Sequence, residues 1–207
     1  MIDGVHIWRA ALDEAGWPGP QELPPQERER AESFLREGAG RRWVAARWAL
    51  RRTLAGYLGR ETVEIALETD RQGKPRLRDG DGGGLRFNLS HSGGLALVAV
   101  TERRAVGVDV ETIAPRQNLV ALAERSLPAE EAAAVRAAAP ERRLDAFYTA
   151  WVRHEARLKC LGTGLGAPAP PAATSIAPVD AAPGYAAAVA VLDSDIGPLR
   201  CRTLRAG

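Results

Sequence analysis

The segment Gly107-Val-Asp-Val-Glu111 alternates apolar and acidic side chains with a period of two, the period of a β-strand. Such a strand sends Val108 and Val110 to one face and Asp109 and Glu111 to the other. A second block, Trp151-Val-Arg-His-Glu-Ala-Arg-Leu-Lys-Cys-Leu-Gly162, has helical spacing instead. On a helix Phe147, Trp151, Glu155 and Lys159 form one stripe, so an apolar face carries a carboxylate and an ammonium. Burying these charges is costly unless they pair or bind something. Two readings follow. In one, Glu155 and Lys159 are a simple i,i+4 ion pair and the strand is an edge with one wet face. In the other, Asp109, Glu111 and Glu155 offer oxygens to one divalent cation. The presence of both blocks in one chain favours the cation.

A chain of 207 residues suits one compact unit or a tight pair of halves. A net charge of +2 does not by itself demand a polyanionic partner. Charge is nonetheless uneven: Arg28 to Arg60 holds nine Arg against Glu29, Glu32 and Glu37, a basic element that needs anions or open water. Of the 28 basic residues only Lys74 and Lys159 are lysine, which marks positions that need a compact ammonium rather than a planar fork. Cys160 and Cys201 are too few for a disulfide framework and are expected to be free thiols, Cys160 buried. The N-terminus has neither a basic lead nor an apolar run, and no stretch approaches the ~18 apolar residues that span a bilayer. A soluble cytoplasmic protein is expected.

Along the chain, helical spacing from Gln26 to Leu58 predicts two helices divided at Gly38 and Gly40. Thr62 to Glu68 reads as a strand and Arg71-Gln-Gly-Lys-Pro75 as a turn. Leu85–Leu89, Leu95–Thr101 and Val106–Glu111 read as strands, the first two joined by a loop holding Ser90-His-Ser92. Asn118 to Ala139 and Glu141 to Leu161 read as helical, with Pro128 in a first turn and Gly162 and Gly164 as stops. A Pro/Ala-rich extended passage, 167–183, precedes strands at Tyr185–Leu192 and Arg200–Leu204. The segments 94–100 and 184–191 resemble each other weakly, a hint of two related α/β halves.

Taken in order, Gly73-Lys-Pro75, Phe87-Asn-Leu-Ser-His-Ser92, Gly107-Val-Asp-Val-Glu111 and Trp151-x-x-x-Glu155-Ala-x-x-Lys159-x-x-Gly162-x-Gly164 resemble the signature of the Sfp-type 4′-phosphopantetheinyl transferases. The resemblance runs from about Gln26 to Val191. It implies an α/β (α+β) fold of two similar halves related by a pseudo-twofold, 1–105 and 106–207, with the active site in the cleft between them. It further implies a monomer that transfers the phosphopantetheine arm of coenzyme A to a serine of an apo acyl or peptidyl carrier protein and releases 3′,5′-ADP. By that likeness Asp109, Glu111 and Glu155 hold Mg²⁺, Glu155 takes the serine proton, and Lys159 neutralises phosphoryl charge. Arg30, Arg42 and Arg28 resemble the 3′-phosphate contacts, Gly73 and Lys74 the nucleotide contacts, and Ser90 and His91 the phosphate-holding pair.

One position departs from the pattern: His154 stands where family members commonly have Lys, which puts a phosphate contact in question. Two rival readings remain. The Arg28–Arg60 segment with Trp43 and Trp48 could grip a nucleic-acid backbone, although tryptophans at helical spacing are more often core. A non-catalytic coenzyme A-binding scaffold is the other. No nucleic-acid or membrane partner is expected from the transferase reading.

Overall fold

The computed structural model describes residues 2–34, 37–70, 73–78, 80–163 and 173–206. The chain opens with strand β1 (Val5–Ala11), which sequence inspection passed over, although Val5 and Ile7 alternate inward and are fully buried. Helices α1 (Pro25–Glu32) and α2 (Glu37–Leu58) follow. The break between them lies before Gly38, and both expected breaker glycines sit inside α2. Gly40 is where α1 returns toward α2: a Cβ there would stand 3.4 Å from Phe34 Cβ and 3.6 Å from the Ala31 carbonyl oxygen.

Thr62–Glu64 forms a single 3-10 turn rather than strand, because Glu64 closes locally onto Glu61 through both backbone and side chain. Extended structure begins at β2 (Leu67–Thr69), which pairs with β3 (Pro75–Leu77) in an antiparallel hairpin. Next come β4 (Leu85–Ser92), β5 (Leu95–Glu102) and β6 (Val106–Thr112). The Ser90-His-Ser92 cluster is strand, not loop: its register with β5 runs to Ser92 opposite Leu95 and leaves only Gly93-Gly94 to turn. The C-terminal half supplies α3 (Leu119–Ser126), α4 (Ala129–Ala137), α5 (Arg143–Leu161), β7 (Ser175–Pro178), β8 (Tyr185–Val191) and β9 (Leu199–Leu204). Strand β7 falls inside the passage expected to be merely extended, part of which, with Gly164, lies outside the described residues.

One topology occurs twice. In the first sheet β1, α2, β4 and β5 follow one another and the strands order as β4-β5-β1; in the second β6, α5, β7 and β8 order as β7-β8-β6. The two weakly similar segments become β5 and β8, each an interior strand of its sheet. Strand β9 crosses back to pair in parallel with β1, so sheet membership and chain order part company after Pro198. The sheets face each other through Val5, Ile7, Leu97 and Ala99 on one side and Val108, Val110, Val189 and Val191 on the other. Helix α2 covers the outer face of the first sheet through Leu50 and Leu54, and α5 that of the second through Val152, Ala156 and Cys160. The mixed α/β architecture is thus helix, sheet, sheet, helix, with β4 lying beside β6 where the halves meet. That seam carries the polar residues.

Candidate active site

Strand β6 pairs with β8 through the backbone groups of alternate residues, so the N–H groups of Val108, Val110 and Thr112 point away from β8. A buried N–H without an acceptor is costly. Side chains from β4 provide the acceptors: Asn88 Oδ1 for Val108 (2.8 Å), Ser90 Oγ for Val110 (3.4 Å) and Ser92 Oγ for Thr112 (3.1 Å). This ladder joins the two sheets without a backbone pairing. It also places Ser90 against Asp109, whose Oδ1 accepts from Ser90 Oγ at 2.9 Å, and Ser92 against Glu111, whose Oε2 accepts at 2.8 Å.

Helix α5 lies directly on the acidic face of β6. It can do so because residue 107 is glycine: a Cβ there would fall 2.1 Å from the Ala156 carbonyl oxygen and 2.3 Å from the Cys160 nitrogen. The close approach brings Glu155 and Lys159 over Asp109. The Lys159 ammonium donates to Asp109 Oδ1 at 2.6 Å and to Ser90 Oγ at 3.1 Å. Lys74 donates its ammonium to the Lys159 carbonyl at 2.8 Å, satisfying a carbonyl of the last turn of α5, which ends at Gly162 in the left-handed conformation that a glycine tolerates.

Electrostatics mark the cluster. Burial raises the Asp109 pKa and outweighs the Lys159 ion pair and the Ser90 hydrogen bond. Burial also raises Glu155, with Asp109 and Glu111 adding to the rise against the pull of Lys159. Asp109 Oδ2 and Glu155 Oε1 are buried and have no hydrogen-bond partner. Two orphaned carboxylate oxygens next to a third carboxylate form an all-oxygen donor set that suits a hard divalent cation such as Mg²⁺. Among the described residues no three acidic, His or Cys side chains stand as a ready-made cation cluster.

Other expected contacts are more dispersed. His91 is exposed beside the cluster, yet the protein crowding its ring, and then the Lys159 ammonium, lower its pKa. His154 is also lowered, by burial and then by Arg157. Lys74 is lowered by burial. Gly73 turns the β2–β3 hairpin at φ +84°. Arg42 makes a bidentate pair with Asp13, both bonds 2.8 Å, while exposed Arg30 stacks its guanidinium over Phe34 and Arg28 donates to the Leu23 carbonyl.

Two arginines of the basic segment find their anionic partner inside the fold. Arg47 and Arg51 are buried on the buried carboxylate of Glu27, and Trp48 is 4% exposed. A basic and aromatic strip for nucleic acid is therefore not what Arg47, Arg51 and Trp48 present. Sequence reasoning also missed Asn88 and Ser92 as splints and Gly107 as the seat of α5. Polar residues at period two in an otherwise apolar strand, and a glycine two before the first acid, were the available signals.

Two family profiles match the chain: "4′-phosphopantetheinyl transferase, N-terminal" over residues 15–103 and "4′-phosphopantetheinyl transferase superfamily" over residues 105–196. The chain is 37% identical over 172 residues to the 4′-phosphopantetheinyl transferase HetI of Nostoc sp., a match covering 80% of this chain and 71% of that relative. This chain belongs to the 4′-phosphopantetheinyl transferase superfamily. A further family member, AcpT of Escherichia coli K12, is 33% identical over 156 residues, covering 75% of this chain and 74% of its own. The L-aminoadipate-semialdehyde dehydrogenase-phosphopantetheinyl transferase of Xenopus laevis is 31% identical over 153 residues, covering 70% and 51%. The β4–β6 seam lies across the junction of the two family segments.

Proposed function

We propose that this transferase moves the 4′-phosphopantetheine arm of coenzyme A to the hydroxyl of a serine on an apo acyl or peptidyl carrier protein. The serine oxygen bonds to the phosphorus nearer pantetheine, the bridging P–O bond of the diphosphate breaks, and 3′,5′-ADP leaves. The observation that carries this reading is the pair of buried, unpartnered oxygens on Asp109 and Glu155 beside Lys159, in a chain of this superfamily.

Asp109, Glu111 and Glu155 would hold Mg²⁺, which when bound supplies charge to the diphosphate oxygens. Glu155, whose pKa burial raises, accepts the serine proton, directly or through water. Lys159 offers its ammonium to the transferred phosphoryl group, and Ser90 and His91 lie beside it to hold phosphate. Lys74, whose ammonium meets the last turn of α5, and its neighbour Gly73 serve as nucleotide contacts, with Arg30, Arg42 and Arg28 as contacts to the 3′-phosphate. The reading includes a monomer working in the cytoplasm. Both cysteines are free thiols, as a reducing compartment would keep them, Cys160 being buried with its pKa pushed up to about 11; among the described residues no helix is long and apolar enough to cross a membrane.

The test is incubation with coenzyme A, Mg²⁺ and a panel of apo carrier proteins, read by intact mass. One phosphopantetheine group should be added to a carrier, not in EDTA, and at least ~10²-fold more slowly by Glu155→Gln. No mass gain on any carrier, or full transfer in EDTA, would overturn the reading.

A further inference from the structure

The ladder between β4 and β6 does more than satisfy an edge. At two of its three rungs the acceptor is a hydroxyl, and each hydroxyl spends its single proton on the carboxylate one residue before the N–H it receives. Ser90 Oγ accepts from Val110 N and donates to Asp109 Oδ1; Ser92 Oγ accepts from Thr112 N and donates to Glu111 Oε2. Asn88 makes the same acceptance from Val108 N.

The repeat has a geometric cause. Side chains on one face of a strand recur every second residue, so positions 90 and 92 march in step with 109 and 111. With its lone pair pinned by a backbone donor, a serine hydroxyl has little rotational freedom left, and its hydrogen fixes one carboxylate oxygen while leaving the other available. The Oδ2 atom of Asp109 is left in this way, buried and without a partner. Ser90 also receives the Lys159 ammonium, whereas Ser92 receives none and contacts Thr112 Oγ1 at 3.4 Å.

We propose that Ser92 is a positioning residue: it holds Glu111 in the orientation that presents its free oxygen to the divalent cation. This rests on the assignment of Asp109, Glu111 and Glu155 as the cation ligands. Hydrogen-bonded partners of metal ligands commonly contribute tenfold or more to metal affinity.

The test is Mn²⁺ binding followed by electron paramagnetic resonance, in the presence of 3′,5′-ADP, for wild type, Ser92→Ala, Glu111→Gln and the double variant. Ser92→Ala should weaken Mn²⁺ binding about tenfold in the wild-type background and have no further effect once Glu111 is Gln. Ser92→Thr, which keeps the hydroxyl, should restore affinity. Should Ser92→Ala fold poorly, Ser92→Cys, a weak donor of similar size, must show the same loss. Unchanged affinity in Ser92→Ala, or an equal loss in both backgrounds, would overturn the proposal and leave the ligand assignment standing. Failure of the wild type to bind Mn²⁺ would instead overturn the ligand assignment, and this inference with it.

Discussion

The Lys159 ammonium lies 2.6 Å from Asp109 Oδ1, a partly exposed cation held against a nearly inaccessible carboxylate. An internal cation therefore already stands where the acids converge, and Glu155 projects from the same helix one turn earlier. Lys159→Met, which keeps length but not charge, leaves Asp109 and Glu155 without it. We expect a loss of about 2–3 kcal/mol in urea unfolding, below the 3–5 typical of breaking a fully buried pair because the ammonium is partly solvated. Mg²⁺ should recover part of that loss. An unfolding curve identical to wild type would show that the ion pair contributes nothing to the fold.

Gly107→Ala tests the seat of α5. A methyl group would meet backbone atoms of Ala156 and Cys160 at 2.1 and 2.3 Å, and backbone cannot rotate aside as a side chain can. The helix must shift, at a cost of at least ~1–3 kcal/mol, and Glu155 and Lys159 shift with it. Both the melting temperature and the transfer rate should fall. Normal values for both would mean that α5 does not rest on this position.

Glu27 sets an acid limit. Burial pushes its pKa up, but hydrogen bonds and charge from Arg51 and Arg47 prevail and bring it below the ordinary 4.5. A depressed folded pKa contributes stability that is present above the ordinary value and lost as pH falls through the folded one. Glu27→Gln leaves two buried guanidinium groups uncompensated, so it should cost about 3–5 kcal/mol at pH 7. The difference from wild type should shrink below pH 4.5. A difference that stays constant down to acid unfolding would refute the linkage.

Donor choice tests the basic face of α1 and α2. If Arg30 and Arg42 meet the 3′-phosphate, coenzyme A lacking that phosphate should be poorer by about 1.5–3 kcal/mol in kcat/KM, the worth of a charged hydrogen bond. Arg30→Ala should erase much of the preference. The effect of Arg42→Ala should be smaller, because Arg42 must also leave Asp13. Equal use of both donors by the wild type would give the segment another role.

The sequence by itself determined the family and most of the elements. Period two put Asp109 and Glu111 on one face, period 3.6 put Glu155 and Lys159 on one stripe, and the motif order pointed to the transferase family, because these are local regularities written in neighbouring residues. Local rules misplaced what non-local partners govern: Ser90-His-Ser92 extends as strand because β5 offers register out to Leu95, and β1 forms between β5 and β9, the latter almost two hundred residues away in sequence. Only the tertiary structure decided that Arg47 and Arg51 turn inward on Glu27 while Arg42 pairs with Asp13 at the surface, that Gly107 seats α5, and that Asn88, Ser90 and Ser92 splice the halves. Each depends on groups far apart in the chain meeting within a few ångströms. Such meetings follow from how sheets and helices stack, and no periodicity within either segment encodes them.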